Sequence, residues 1–175
     1  RFGIEVDDGW FHILDDLCAF LSGIEKMERI ALRKKTLSDW AVKLHMAARR
    51  RQGLGPPTTW WYRPIKTVTL RGPKVALVQV KEKFGTLRVY YDLDWSASAS
   101  AEDLRKIPKK EFERFKELVR CKLSGAIAYA EFLSSRTCEI CGEIGFPHTK
   151  FGWRKTLCRR LGEDMGYTPS DPLDL

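Results

Sequence analysis

Three cysteines near the end of the chain have the spacing of metal ligands. The segment Thr137-Cys138-Glu139-Ile140-Cys141-Gly142 sets two thiols two residues apart with a glycine after them. That is the pattern of a knuckle turn, which aims both sulfurs at one point, as a tetrahedral Zn²⁺ requires. Cys158 returns a third thiolate seventeen residues after Cys141. Arg160 and Leu161 stand where a closing Cys or His would fall, so His148 is the nearest substitute. The expected ligand set of a structural zinc is therefore Cys138, Cys141, Cys158 and His148. The competing reading buries the cysteines as small apolar residues with no metal. Gly152-Trp153-Arg154-Lys155 offers no general base, so a catalytic metal is the weaker reading.

A second group of reactive types lies in Gln79-Val80-Lys81-Glu82-Lys83-Phe84-Gly85-Thr86-Leu87-Arg88. Lys81, Lys83 and Arg88 suit phosphate contacts, and Phe84 suits stacking on a base. The same segment loosely fits the strand-end acid and lysine of metal-dependent nucleases. That chemistry needs an upstream acid, and none occurs between Thr58 and Val75. The plainer alternative is cross-strand ion pairing on a solvated face. The acids Glu5, Asp7, Asp8, Asp15 and Asp16 read as helix-start caps and a solvent face rather than as a catalytic set. Basic runs recur at Arg33-Lys34-Lys35, Arg49-Arg50-Arg51, Arg105-Lys106 with Lys109-Lys110, and Arg154-Lys155 with Arg159-Arg160. Such runs are usually solvated, but their number favours a polyanion or an acidic partner. His12 and His45 are isolated, and no phosphate-cradling glycine loop or Ser/His/Asp arrangement is present.

These groups need elements to hold them. Phe11, Leu14, Cys18 and Leu21 recur at helical spacing, predicting a helix from Asp8 to about Ser22, stopped at Gly23. Residues 25–35 carry a weaker helical pattern, and Ser38 caps a clearer helix over 39–52. Strand character appears at 58–62 and 67–70, then strongly at 75–81 and 86–92, joined at hairpin length. The Ser/Ala run 96–101 reads as a flexible link or a mobile loop tip, followed by one helical turn broken at Pro108. A long helix is predicted from Lys109 to about Ser135, with Phe112, Phe115, Val119, Leu123, Ala126, Ala130 and Leu133 on one face. The segment around His148 reads as a loop.

Composition bounds the class. The 175 residues suffice for one domain with a small appendix, and no apolar run is long enough to span a membrane. Five cysteines, an odd number, favour metal thiolates in a reducing, cytoplasmic setting over disulfides. The net charge of +8 permits nucleic acid or an acidic protein surface as partner.

Several landmarks occur together and in order. They are Phe2-Gly3-Ile4-Glu5 leading to Asp8-Gly9-Trp10-Phe11 and Asp16-Leu17-Cys18, the block from Gln79 to Tyr90, Thr137 to Gly142, and Gly152 to Cys158. In them the chain resembles a family of uncharacterised small proteins of bacteria, prophages and tailed phages. The landmarks span nearly the whole chain, and the lysine–glutamate–phenylalanine block is the most distinctive. The resemblance implies that residues 24–72 are a variable insertion and that a Cys or His follows the last Cys, where this chain departs. A phage or prophage origin implies an accessory role, such as inhibiting a host defence complex by binding it.

The expected fold is α+β, a small antiparallel sheet packed on helices. An α+β core spans 1–135, a zinc-knuckle-like module 136–168 and a tail 169–175. The expected function is a non-enzymatic binding module for nucleic acid or a nucleoprotein complex. Its contacts would be Lys81, Lys83, Phe84, Arg88, Arg49, Arg50, Arg51, Lys109 and Lys110. A protein-binding inhibitor and a metal-dependent nuclease are the alternatives.

Overall fold

The computed structural model describes residues 3–32, 47, 50–53 and 67–170. The fold is mixed α+β, with small antiparallel ladders and helices. The strand expected at 58–62, most of the helix expected over 39–52, and Arg49 lie outside the described residues.

A short strand β1 (Ile4–Glu5) leads through a 3₁₀ turn (Asp8–Trp10) into helix α1 (Phe11–Glu25). The helix does not stop at Gly23. Ile13, Leu14, Leu17, Leu21 and Ile24 form one buried stripe, and burying Ile24 carries the helix one residue-pair past the glycine. Asp7 makes no side-chain cap hydrogen bond.

The weak helical pattern over 25–35 yields instead to strand β2 (Glu28–Leu32), antiparallel to β3 (Thr67–Arg71). Pairing Ala31 with Val68 buries both, and Leu70 is fully buried beside them. A ladder that buries alternate residues overrides a weak helical propensity.

The main sheet has the order β1, β4 (Lys74–Lys83), β5 (Thr86–Asp94). The β4–β5 hairpin is antiparallel, with a bulge between Leu77 and Gln79, while β1 runs parallel to β4. Val80, Leu87 and Val89 face the core, so Lys81, Lys83 and Arg88 face outward by the period of two.

The segment 96–100 is not a slack link. Ser98 is buried, its carbonyl accepts from the Arg71 N–H at 2.8 Å, and Ser100 caps helix α2 (Ala101–Lys106) through the Asp103 N–H at 3.0 Å. After Pro108, helix α3 (Lys109–Ser134) buries Phe115, Val119, Leu123, Ile127 and Ala130 against α1 and β5.

The last described elements are strands β6 (Phe146–Lys150) and β7 (Trp153–Leu157), helix α4 (Arg159–Asp164) and strand β8 (Thr168–Pro169). Their sheet order is β7-β6-β8. His148 therefore sits in a strand, paired with Lys155, where a loop was expected. This module is bonded to the rest of the molecule. The Gly9 N–H donates to the Glu139 carbonyl at 2.9 Å, Trp10 Nε1 to the Thr137 carbonyl at 2.8 Å, and Thr156 Oγ1 to the Gly85 carbonyl at 2.6 Å. A methyl group on Gly9 would overlap the carbonyls of Cys138 and Glu139, so only glycine lets the 3₁₀ turn lie on the knuckle.

Candidate metal centre and aromatic hairpin tips

The knuckle turn follows α3 directly. Gly142 closes it at φ 75°, a left-handed conformation that favours glycine, and its N–H donates to the Cys138 carbonyl at 3.0 Å. The turn points Cys138 and Cys141 at Cys158, which caps the start of α4. The three sulfurs all lie within 4.8 Å of one another, and Cys141 and Cys158 are 3.8 Å apart. Two thiolates bound at ~2.3 Å to one tetrahedral ion would sit ~3.8 Å apart, so the spacing fits a metal.

The electrostatics agree. Burial alone pushes the Cys138 thiol up, but the backbone N–H groups of Cys141, Cys158 and Ile140 directed at its sulfur bring it below the ordinary value. Cys141 is raised to about 11, by desolvation first and then by the two neighbouring sulfurs. A metal ion binds such sulfurs as thiolates, so its binding would release their protons. Cys138 and Cys158 are buried and Cys141 is exposed.

His148 does not join them. Among the described residues no other His, Cys, Asp or Glu brings a donor within 4.8 Å of all three sulfurs. Nδ1 of His148 lies 2.8 Å from the Phe146 carbonyl, and the ring packs on Phe146 at 4.5 Å. A carbonyl only accepts, so Nδ1 is the donor in this bond. Nε2 faces Gly162, where a side chain would collide with it. The strand and this carbonyl fix the imidazole, and they aim it at the helix backbone. The position one turn on from Cys158 holds Leu161, packed with Cys138, Leu157 and Cys158 in one apolar cluster.

Beside the knuckle lies an ion network that the sequence did not suggest. Glu139 is 1% exposed and pairs with Lys155, whose Nζ is also 3.8 Å from Asp7. Burial first, with Glu82 and Asp7 beside it, holds the Glu139 carboxyl above its ordinary value although Lys155 pulls it down. Burial alone would lower Lys155, but Glu139 and then Asp7 hold it above its ordinary value, so its ammonium is charged at neutral pH. These residues and Glu82 line a cleft of about 210 Å³. Oε1 of Glu82 accepts the Gly85 N–H at 2.5 Å, which fixes the β4–β5 turn.

The two hairpins end alike. β4–β5 turns on Lys83-Phe84-Gly85 and β6–β7 on Lys150-Phe151-Gly152. In both turns the phenylalanine is left-handed, at φ 56° for Phe84 and 49° for Phe151, and the following glycine has positive φ as well. This is the type I′ pattern, which favours Asn-Gly and penalises a bulky first residue. Neither ring repays the strain by burial, since Phe84 is 63% and Phe151 92% exposed. Trp153, next to the second turn, is 75% exposed. Lys83 lies over the Phe84 ring at 5.1 Å.

The remaining predicted contacts separate. Lys81 lies over Tyr90 at 5.2 Å, on the same outer face as Lys83. Arg88 is half-buried and held by Glu131 at 3.3 Å and the Leu87 carbonyl at 3.0 Å. Lys109 and Lys110 are exposed at the start of α3, whereas Glu131 and Ser134 at its other end meet the hairpin. At 1.5 Å per residue that distance exceeds ~30 Å. Arg50 and Arg51 are exposed and helical. The second aromatic tip escaped the sequence reading, although the repeated Lys-Phe-Gly was its signal.

Compared with protein-family models, curated proteins and solved structures, the chain matches none.

Proposed function

We propose that the protein is a non-enzymatic binding module for single-stranded nucleic acid, engaged by the two aromatic hairpin tips, with the C-terminal hairpin held by a structural zinc. The observation that carries this reading is the pair of exposed, left-handed phenylalanines, each preceded by lysine and followed by glycine. A fold that needs only a tight turn takes Asn-Gly. Phenylalanine at that position costs backbone energy and gains little burial, least of all at Phe151, which points to a benefit outside the folded chain. An exposed aromatic face beside a lysine suits a base with its phosphate, a contact that tolerates any sequence. Thr156 bonds the first turn to the second hairpin, which sets the two tips on one frame.

In this reading Cys138, Cys141 and Cys158 hold Zn²⁺, which would supply cross-linking of the knuckle to α4. The chain's own residues do the rest. Gly9 and Trp10 seat the knuckle, and the β6–β7 hairpin carries Phe151 and Trp153 to the surface. The test is fluorescence anisotropy with a labelled single-stranded oligonucleotide. Replacing Phe84 and Phe151 together by Asn should weaken binding by at least tenfold, given ~1–3 kcal/mol per stacked base. Equal binding by wild type and double variant would sink the reading.

A further inference from the structure

We propose that the metal of the cysteine cluster keeps an open fourth position, which takes a low-molecular-weight thiol as its thiolate. The inference rests on the metal reading above and deepens it. Three sulfurs gather within 4.8 Å, and among the described residues no fourth His, Cys, Asp or Glu donor joins them. The nearest histidine is tied to the Phe146 carbonyl and faces Gly162. Residue 161, three after Cys158 and on the same face of α4, is the place from which the helix would complete a tetrahedron. There the chain carries Leu161, which has no donor atom.

A metal closed by four protein ligands has no free position, and one with three keeps an exchangeable position even where it cross-links the fold. Here that position borders solvent, because Cys141 is exposed while Cys138 and Cys158 are buried. Water fills it by default. Three sulfur donors make the site soft, which favours sulfur over oxygen as the fourth. On binding, the thiol gives its proton to solvent and its sulfur replaces the water, with no change in oxidation state. The exposed guanidinium-bearing residues Arg159 and Arg160 directly follow Cys158 and offset the added negative charge.

The experiment uses the full chain, freed of metal under a thiol-free reductant and titrated with Co²⁺, whose ligand-field and sulfur charge-transfer bands report the donors. N-Acetylcysteine is then added to the cobalt-loaded protein. The expected result is a saturable shift of both bands. Leu161→His should bind Co²⁺ at least tenfold more tightly and lose the response to thiol, because the helix then closes the site. A loaded wild-type spectrum that ignores the thiol overturns the open position while leaving the metal intact. So does a thiol response that appears only in His148→Ala, since His148 would then be the fourth ligand. Failure of the wild-type chain to take up Co²⁺ at all removes the metal reading and this inference with it.

Discussion

Lys155 is the residue on which the module's attachment turns. It joins Glu139 of the knuckle to Asp7 of the N-terminal segment, and Glu139 is almost wholly out of solvent. A buried pair contributes little beyond what apolar packing would, but removing one partner strands the other. Lys155→Met should therefore destabilise by about 3 kcal/mol, since it leaves the Glu139 carboxylate buried without its cation. Adding Glu139→Gln to that variant removes the stranded charge and should recover more than half of the loss. Urea unfolding of the four members of the cycle measures both. Equal stability of Lys155→Met and wild type would show that the carboxylate finds water instead. Nothing in the sequence marked this pair. Glu139 lies between the two cysteines of the knuckle and Lys155 within a basic run, and each is explained locally without the other. Sixteen residues and a strand pairing separate them, and only the folded hairpin brings them into contact.

At the scale of elements, legibility followed the strength of the periodic signal. The β4–β5 hairpin and α3 were plain, because two strand-forming runs joined at hairpin length and a stripe over a long helix leave no second reading. Strand β2 was read as helix, since five residues carry too little pattern and its partner β3 is more than thirty residues away. The hairpin β6–β7 was missed because Phe146-Pro147-His148-Thr149-Lys150 includes a proline and only one strictly buried residue. The cysteine triad was legible because two cysteines two residues apart before a glycine mark a knuckle turn, while the placing of His148 depended on that unseen strand. Two outcomes belong here. Phe151→Asn should raise stability by about 0.5–1 kcal/mol, because Asn tolerates the left-handed turn and the exposed ring loses almost no packing. The same change should weaken oligonucleotide binding, so stability and affinity move in opposite directions. A fall in stability would mean that the ring packs after all. Gly9→Ala should act the other way on the frame. Its methyl group pushes the 3₁₀ turn off the knuckle, costing more than about 2 kcal/mol. Metal removal by a chelator should then be faster than in wild type, as the knuckle loses the bond from the Gly9 N–H.

Over the whole molecule the question is whether binding follows the total charge or one surface. The formal charge is +8, so any polyanion is attracted at low salt. The fold divides the basic residues in a way that separates the two cases. Lys81 and Lys83 share the outer face of β4 beside Phe84, and Lys109 and Lys110 stand at the far end of a 26-residue helix. Arg88, though on the hairpin, is engaged by Glu131 and contributes less than its position suggests. For single strands each phosphate contact adds about 0.7 to the slope of log affinity against log salt. Lys81→Gln with Lys83→Gln should lower that slope by about 1.4 and weaken binding most at low salt. Lys109→Gln with Lys110→Gln removes the same charge and should leave the slope nearly unchanged. At 0.15 M salt, screening reaches only ~8 Å, so a pair more than ~30 Å from the hairpin has no direct hold on a strand lying across it. If both double variants change the slope equally, the tips confer no local site and the attraction is that of a basic molecule for any polyanion. If only the hairpin pair changes it, the two lysines and Phe84 beside them form a local site.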